Sequence, residues 1–248
     1  MKHRRPPRTL NERLLRRLRL LRRRASPVPS PPQHSLGVFA GQGMFVIQPS
    51  DPPVENVKGM KQNGYQWVAF NAFDGVREPG QWAEWRRQCE FAGLNWGWWA
   101  RCYTAADLDR LVALTVETRR GFVILNVEDE LASGEVTVDM ILDACWPTTS
   151  WAIDYGLSTV APVYHGVDWK RLTDVGIVIQ PQAFMNVEPT LTAVGALEQA
   201  KSRGAGLVAP TIGLYPTPTS PRLTPHDYQP LPPSWSAYHV GAVTTWEA

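Results

Sequence analysis

The sequence predicts an α/β fold, a (β/α)8 TIM-like barrel preceded by a basic N-terminal helix and a Pro-rich linker. From Gly37 onward, eight short apolar segments alternate with stretches of helical periodicity. Several of these segments are apolar at consecutive positions, which is typical of strands covered on both faces. Eight strands with mostly helical connections in about 210 residues correspond to the compact end of this fold.

Each predicted strand is a run of seven to eleven residues rich in apolar side chains. The strands are residues 37–47, 65–73, 94–103, 121–127, 157–164, 175–184, 206–215 and 238–246. Helical patterns cover residues 53–63, 79–92, 105–119, 136–145, 167–173 and 189–203. The connection 215–233 holds too many prolines for a helix and is predicted to be a long extended loop. A doubly wound open sheet is the alternative, but no Gly-rich phosphate turn follows the first strand.

The net charge of +2 conceals a basic arm attached to an acidic body. Residues 1–24 contain eleven Lys or Arg and one acid, Glu12, which gives the arm +10 and leaves −8 for the rest. Residues 25–36 are rich in Pro and Ser and predict an extended spacer. The predicted organisation is therefore an arm (1–24), a linker (25–36) and a barrel (37–248).

The arm has the leucine spacing of a short amphipathic helix with arginines on its other faces. The side chains predicted to bind a partner are Leu10, Leu14, Leu18, Leu21, Arg16 and Arg17. A helix that docks on another protein of a large assembly is the favoured interpretation, because the leucine stripe needs a groove. The alternatives are contact with nucleic acid or an anionic membrane, an organellar targeting peptide, and a solvated tail.

The composition excludes several classes of protein. No apolar run reaches the roughly 18 to 20 residues that span a bilayer, and no segment has the order of a secretory signal. Three separated cysteines, Cys89, Cys102 and Cys145, predict buried thiols rather than disulfides or a metal site. Five scattered histidines predict no metal centre, and no cofactor is expected.

Polar and aromatic residues follow the predicted strands at the end where barrel enzymes place their active sites. A polar rim with several aromatic rings is suited to a sugar. The predicted ligand-binding residues are Asn71, Trp98, Arg101, Asn126, Tyr164, Gln180, Gln182, Tyr215 and Trp246. Eleven tryptophans are present, and strand alternation predicts that Trp99 faces one side of the sheet and Trp96 and Trp98 the other.

The segment FVILNVEDE, residues 122–130, runs from a buried strand into three acids. A carboxylate two residues after a polar residue at the end of the fourth strand resembles family-25 lysozymes and family-18 chitinases, which carry Asp-x-Glu there. The resemblance implies that Glu128 is the general acid, with Asn126 in the place of the charge-stabilising Asp. Because Asn is neutral, a second carboxylate would have to come from elsewhere, and the candidates are Asp74, Asp129 and Glu247.

Two other interpretations of Glu128 remain open. It belongs to a site that binds sugar without cleaving it, or it is structural and caps the next helix or pairs with an arginine such as Arg101.

The Arg-rich arm, the Pro/Ser linker, the Trp-rich body and the Asn126-x-Glu128 motif together resemble minor tail proteins of actinobacterial phages. This resemblance implies a structural virion component, made in the host cytoplasm, whose barrel is tethered through residues 1–35 and binds host-surface glycan. The alternatives are an active glycoside hydrolase acting on cell-wall polysaccharide and a nucleic-acid-associated protein led by the arm.

Overall fold

The structure is a computed structural model that describes residues 35–47, 51–73, 79–119, 121–145, 153–161, 164–216 and 222–239. The predicted arm lies outside the described residues, together with its leucines and arginines and residues 25–34 of the linker. Three predicted site residues lie outside them as well: Asp74, Trp246 and Glu247.

Eight parallel strands close into a barrel in the order β1 to β8, and β8 pairs with β1. The predicted (β/α)8 fold is therefore confirmed. The strands are β1 (Gln42–Val46), β2 (Trp67–Asn71), β3 (Asn95–Arg101), β4 (Phe122–Asn126), β5 (Asp154–Val160), β6 (Ile177–Ala183), β7 (Thr211–Gly213) and β8 (Trp235–His239).

Helices connect the strands on the outside of the barrel. They are α1 (Pro53–Gln62), α2 (Ala83–Ala92), α3 (Ala105–Thr118), α4 (Asp129–Ser133), α5 (Val138–Cys145), α6 (Trp169–Thr173) and α7 (Ala193–Ser202). Between β7 and β8, the described residues form a single 3-10 turn, Pro225–Tyr228. This fits the proline-rich loop that the sequence predicts there.

Local sequence sets the ends of the longest helix, α3. Thr104 accepts a hydrogen bond from the backbone N–H of Asp107, and the Asp107 carboxylate accepts one from the Thr104 N–H, which together form a capping box. The helix ends at Arg119, which adopts the left-handed conformation with φ of 54°. α2 ends in the same way at Gly93, with φ of 67°.

Aromatic rings fill the N-terminal half of the barrel interior. Trp67 and Phe122, the first residues of β2 and β4, pack edge to face at 5.5 Å between ring centroids. A 3-10 turn, Gly37–Ala40, places Phe39 against both rings, at 5.3 and 5.5 Å. The backbone N–H of Val38 donates to Asp154 at the start of β5 and fixes this turn across the end of the barrel. Edge-to-face packing stabilises such a cluster beyond its apolar burial.

The starts of four strands lie three or more residues from the predicted ones. β7 begins at Thr211, five residues late, and before it Val208 forms an isolated bridge to Ile179. The other three starts have a tertiary cause. β1 begins at Gln42 because residues 37–40 form the closing 3-10 turn instead. β5 begins at Asp154, three residues before the predicted start, because Asp154 pairs in register with Phe122 and its carboxylate is used by Val38. β8 begins at Trp235, also three residues early, because Trp235 pairs with Gln42. In each case a tertiary contact outweighs the local apolar pattern.

Candidate functional site

A band of polar side chains crosses the barrel where β3 to β6 approach their C-terminal ends. The strand register aligns Arg101 with Asn126, Asn126 with Ser158, and Ser158 with Gln180. On the same side of β3 and β4, two residues earlier, lie Trp99 and Ile124 of the interior core. The interior therefore changes from apolar to polar toward the end where barrel sites are built.

Glu128 lies directly above this band and accepts hydrogen bonds from several directions. Its Oε1 accepts from Asn126 Nδ2 at 3.1 Å and from Gln182 Nε2 at 3.0 Å. Its Oε2 forms an ion pair with Nη1 of Arg101. Although Glu128 occupies the N-cap position of α4, its side chain makes no capping hydrogen bond. The sequence suggested two structural roles for Glu128. In the structure its side chain pairs with Arg101 and does not cap the helix.

Arg101 also binds Glu130, so one guanidinium joins two carboxylates. Nη2 and Nε donate to Oε1 of Glu130 at 2.9 and 3.3 Å, and the backbone N–H of Glu128 donates to its Oε2 at 2.9 Å. Burial alone would raise the pKa of Glu130, but the hydrogen bonds from Arg101 and the backbone outweigh it, and the pKa lies below its ordinary value. Burial would likewise lower the pKa of Arg101, but Glu130 and Glu128 raise it.

Gln182 connects the acid to the rest of the polar band. Besides Glu128, its Nε2 lies within hydrogen-bonding distance of Asn126 Oδ1 at 3.1 Å and Ser158 Oγ at 3.2 Å. Below it, Gln180 is fully buried, and neither atom of its side-chain amide has a hydrogen-bond partner among the described residues. Unsatisfied buried amide groups are uncommon in folded proteins, so the band retains hydrogen-bonding capacity beneath the site.

Two tyrosines lie on the rim beside these groups. Tyr164 donates to Asp129 Oδ1 at 2.6 Å, and burial together with this hydrogen bond raises the pKa of Tyr164 to about 12. Tyr103 is 58% exposed, and the guanidinium carbon of Arg101 lies 5.3 Å from its ring centroid. Tyr103 is therefore an exposed ring beside hydrogen-bond donors and carboxylates.

Two other predicted residues approach the rim from neighbouring strands. The carbonyl of Tyr215 accepts from Asn186 Nδ2 at 2.8 Å, and its ring packs against Phe184 at 5.7 Å. Burial raises the pKa of Tyr215, and the negative charge of Glu128 adds to the shift. Asn71 is buried at the end of β2, where its carbonyl accepts from Trp82 Nε1 at 2.7 Å and its Oδ1 has no recorded partner among the described residues.

The structure places Trp98 away from the rim. Its side chain is fully buried between β3 and the helices, and its Nε1 donates to Thr118 Oγ1 of α3 at 2.9 Å. This location does not suit stacking on a ligand. Trp99 belongs to the interior cluster and Trp96 to the outer one with Trp98, as strand alternation predicts.

The acids of the site do not form a free pair. Arg101 lies between Glu128 and Glu130, and Asp129 is bonded to Tyr164. Two-carboxylate glycoside hydrolysis needs room for a sugar ring or a water between its acids. Three acids were predicted as the second carboxylate. Asp74 and Glu247 lie outside the described residues, and Asp129 is the one that can be examined. No group of three or more His, Cys, Asp or Glu side chains in the described parts of the chain could hold a metal ion.

One rim acid was missed from the sequence. Asp51 follows β1, is 8% exposed, and has its pKa raised by burial. It directly precedes Pro52 and Pro53 at the start of α1, where an acid is usually interpreted as a helix-start signal. Asp51 is buried only because the barrel is folded, and the residues next to it in sequence do not indicate that burial.

No protein-family model matches the chain, and no curated protein gives a significant sequence match. Over the residues that the structure describes, none of the helices has the length and apolar character needed to cross a membrane.

Proposed function

We propose that the barrel is a glycan-binding body without hydrolytic activity, carried as a structural part of a larger assembly such as a phage tail. The observation that carries this proposal is the set of hydrogen-bond and ion-pair partners of the Glu128 carboxylate. Its three recorded side-chain partners, Arg101, Asn126 and Gln182, all donate to it. A general acid must instead hold a proton and direct it at the leaving oxygen of the sugar.

Sugar binding draws support from the groups around Glu128. Tyr103 offers an exposed ring, and the amides of Asn126 and Gln182 together with the carboxylates offer donors and acceptors. Sugars are bound by this combination of an aromatic face and hydrogen-bonding groups. The site can hold a glycan by its hydroxyls without a free acid pair to cleave it.

The test is a sedimentation assay of the full-length protein with purified peptidoglycan, run beside a measurement of released reducing ends. We expect the protein to sediment with the glycan and to release no reducing ends above buffer. Tyr103→Ala should weaken binding about threefold to tenfold, as expected for loss of one stacking ring. Phe91→Ala is the matched control, because Phe91 is a 91% exposed ring on α2 with no recorded contact to the site.

The same assay examines the hydrolase alternative with Glu128 as general acid. Release of reducing ends by the wild type, abolished by Glu128→Gln with binding retained, would contradict our proposal and establish a glycosidase. Failure of the wild type to sediment with any cell-wall glycan would contradict the glycan-binding part.

The role of the arm in assembly stays a prediction, because residues 1–34 lie outside the described residues. The leucine stripe and the charge of the arm support a protein-docking role. Deleting residues 1–35 should leave the barrel folded, with an unchanged thermal midpoint, while abolishing its incorporation into the parent particle. Continued incorporation would contradict the tether. Tight binding of the full chain, but not of the deletion, to DNA with a steep salt dependence would favour the nucleic-acid alternative.

A further inference from the structure

A groove of about 500 Å³ lies on the outside of the barrel, between the segment that follows β5 and the last turns of α7. Tyr164, His165 and Trp169 line one wall, and Gln199 and Arg203 line the other. This volume falls in the range of small-molecule sites.

The groove contains a guanidinium, that of Arg203, for which the described residues provide no carboxylate partner. Nη2 of Arg203 lies 3.1 Å from Nε2 of His165, which is its recorded partner in the described part of the chain. Because a guanidinium can only donate, Nε2 of His165 is the acceptor in this contact. Two cations near Arg203 do have carboxylate partners. Lys170 pairs with Asp174, and Arg171 pairs with Asp139. Arg203 thus keeps donors for an acceptor supplied from outside.

The same groove contains an acceptor without a donor. The side-chain oxygen of Gln199 is buried and has no hydrogen-bond partner among the described residues. An anion without a hydroxyl group, such as sulfate, would satisfy Arg203 and leave Gln199 unpaired. A ligand that carries a carboxylate and a hydroxyl group on one ring satisfies both.

We infer that this groove binds an acidic sugar, with the sugar carboxylate on Arg203 and a ring hydroxyl donating to Gln199. The inference rests on the proposed function for the nature of the ligand, a glycan, and adds the class of sugar that is recognised. The guanidinium and the carboxylate form a charge-assisted pair, the stronger kind of hydrogen bond.

Tyr164 connects the groove to the rim of the barrel. Its backbone carbonyl accepts from Trp169 Nε1 at 2.9 Å inside the groove, and its hydroxyl donates to Asp129 beside Glu128. A glycan chain that places an acidic residue in the groove can therefore continue over Tyr164 toward the site at Glu128.

The experiment follows the indole N–H signal of Trp169 and the side-chain amide signals of Gln199 by NMR in the isotope-labelled full chain. The probes are methyl glucuronide, the neutral methyl glucoside and acetate. We expect methyl glucuronide to shift both residues and to bind at least about tenfold more tightly than either other probe, with affinity that falls as salt is added. Arg203→Gln should remove the preference for glucuronide over glucoside. Arg171→Gln, which changes a nearby arginine outside the groove lining, should keep it.

Equal binding of glucuronide and glucoside, no shift at Trp169 and Gln199, or an equal loss in both variants would overturn the inference. Acetate binding as tight as glucuronide would also overturn it, since the groove would then recognise a carboxylate and not a sugar. These outcomes are separate from failure of the proposed function, which is measured with insoluble peptidoglycan and with Tyr103→Ala. If the protein binds methyl glucuronide but not peptidoglycan, the inference about the groove stands and the proposed glycan site at the barrel mouth is contradicted.

Discussion

Arg101 donates to Glu130 from two of its nitrogens, at 2.9 and 3.3 Å, and this pair joins the end of β3 to the start of α4. The side chain of Glu130 is 5% exposed, and that of Arg101 is 25% exposed. The pair is therefore largely removed from water, and the outer acid, Glu128, rests on the same guanidinium. Glu128, the acid that resembles a catalytic one, is therefore held by the structural ion pair of Arg101 and Glu130 beneath it.

Replacing Arg101 with Met should lower the free energy of unfolding by about 2–4 kcal/mol, because a largely buried carboxylate loses its counter-charge. The measurement is urea unfolding at pH 7. Arg87→Met is the matched control. Arg87 pairs with Glu84 on the surface of α2, and loss of an exposed pair should give no measurable change.

A second variant separates the charge from the packing at this position. In Arg101→Met/Glu130→Leu, neither charge of the more buried pair remains, and only the more exposed Glu128 is left without its counter-charge. Part of the lost stability should therefore return. A double variant less stable than Arg101→Met alone would show that packing of the two side chains matters more than the unpaired charge.

The stability that Glu130 contributes should depend on pH in a defined direction. Its folded pKa lies below the ordinary value of 4.5, so the contribution is complete at neutral pH and is lost as the pH falls through the folded pKa. The free energies of unfolding of the wild type and of Glu130→Gln should therefore differ most near neutral pH, and the difference should shrink as the pH falls below 4.5. A difference that stays constant over this range would contradict an ionised Glu130 in the native state.

The fold was predictable because the barrel repeats one local pattern. Consecutive apolar residues such as Phe122 to Leu125 indicate a strand covered on both faces, and the alternation of Trp98 and Trp99 separates the two sides of the sheet. Neither signal requires knowledge of distant contacts. The direction of the strands then places Arg101, Asn126 and Glu128 at one end.

The contacts within the site were not predictable in this way. Gln182 reaches Glu128 across 54 positions of sequence, and the sharing of Arg101 between Glu128 and Glu130 depends on the register that sets Arg101 beside Asn126. The sequence suggests Arg101 as a partner for Glu128 but contains no sign that Glu130 is the more buried acid. The burial of Asp51 is likewise a property of the closed barrel.

Trp98 should affect stability and not ligand binding. Trp98→Ala removes a fully buried ring and its hydrogen bond to Thr118, and should cost about 3–5 kcal/mol in the free energy of unfolding. Trp98→Phe should cost less and leave a folded protein in which binding to peptidoglycan can be measured. We expect that binding to be unchanged, whereas a loss comparable to that of Tyr103→Ala would return Trp98 to the ligand site.

Gly97, the glycine of β3, should not tolerate replacement, because a side chain there has no space inside the barrel. A Cβ atom at this position would lie 2.5 Å from the carbonyl oxygen of Phe122 and 2.6 Å from its ring. The carbonyl belongs to the neighbouring strand and cannot move without disturbing the ladder. Gly97→Ala should therefore lower the free energy of unfolding by about 1–3 kcal/mol, measured by urea unfolding.

Gly80 is the matched control, since an added Cβ there meets no atom within 4 Å. It lies in the 3-10 turn Pro79–Trp82, outside the barrel wall. Gly80→Ala should leave the stability unchanged or slightly raised, because Ala has fewer conformations available when unfolded. Equal effects at the two positions would show that β3 and β4 are farther apart than described, and the aromatic packing of Phe122 beneath the polar band would need to be revised with them.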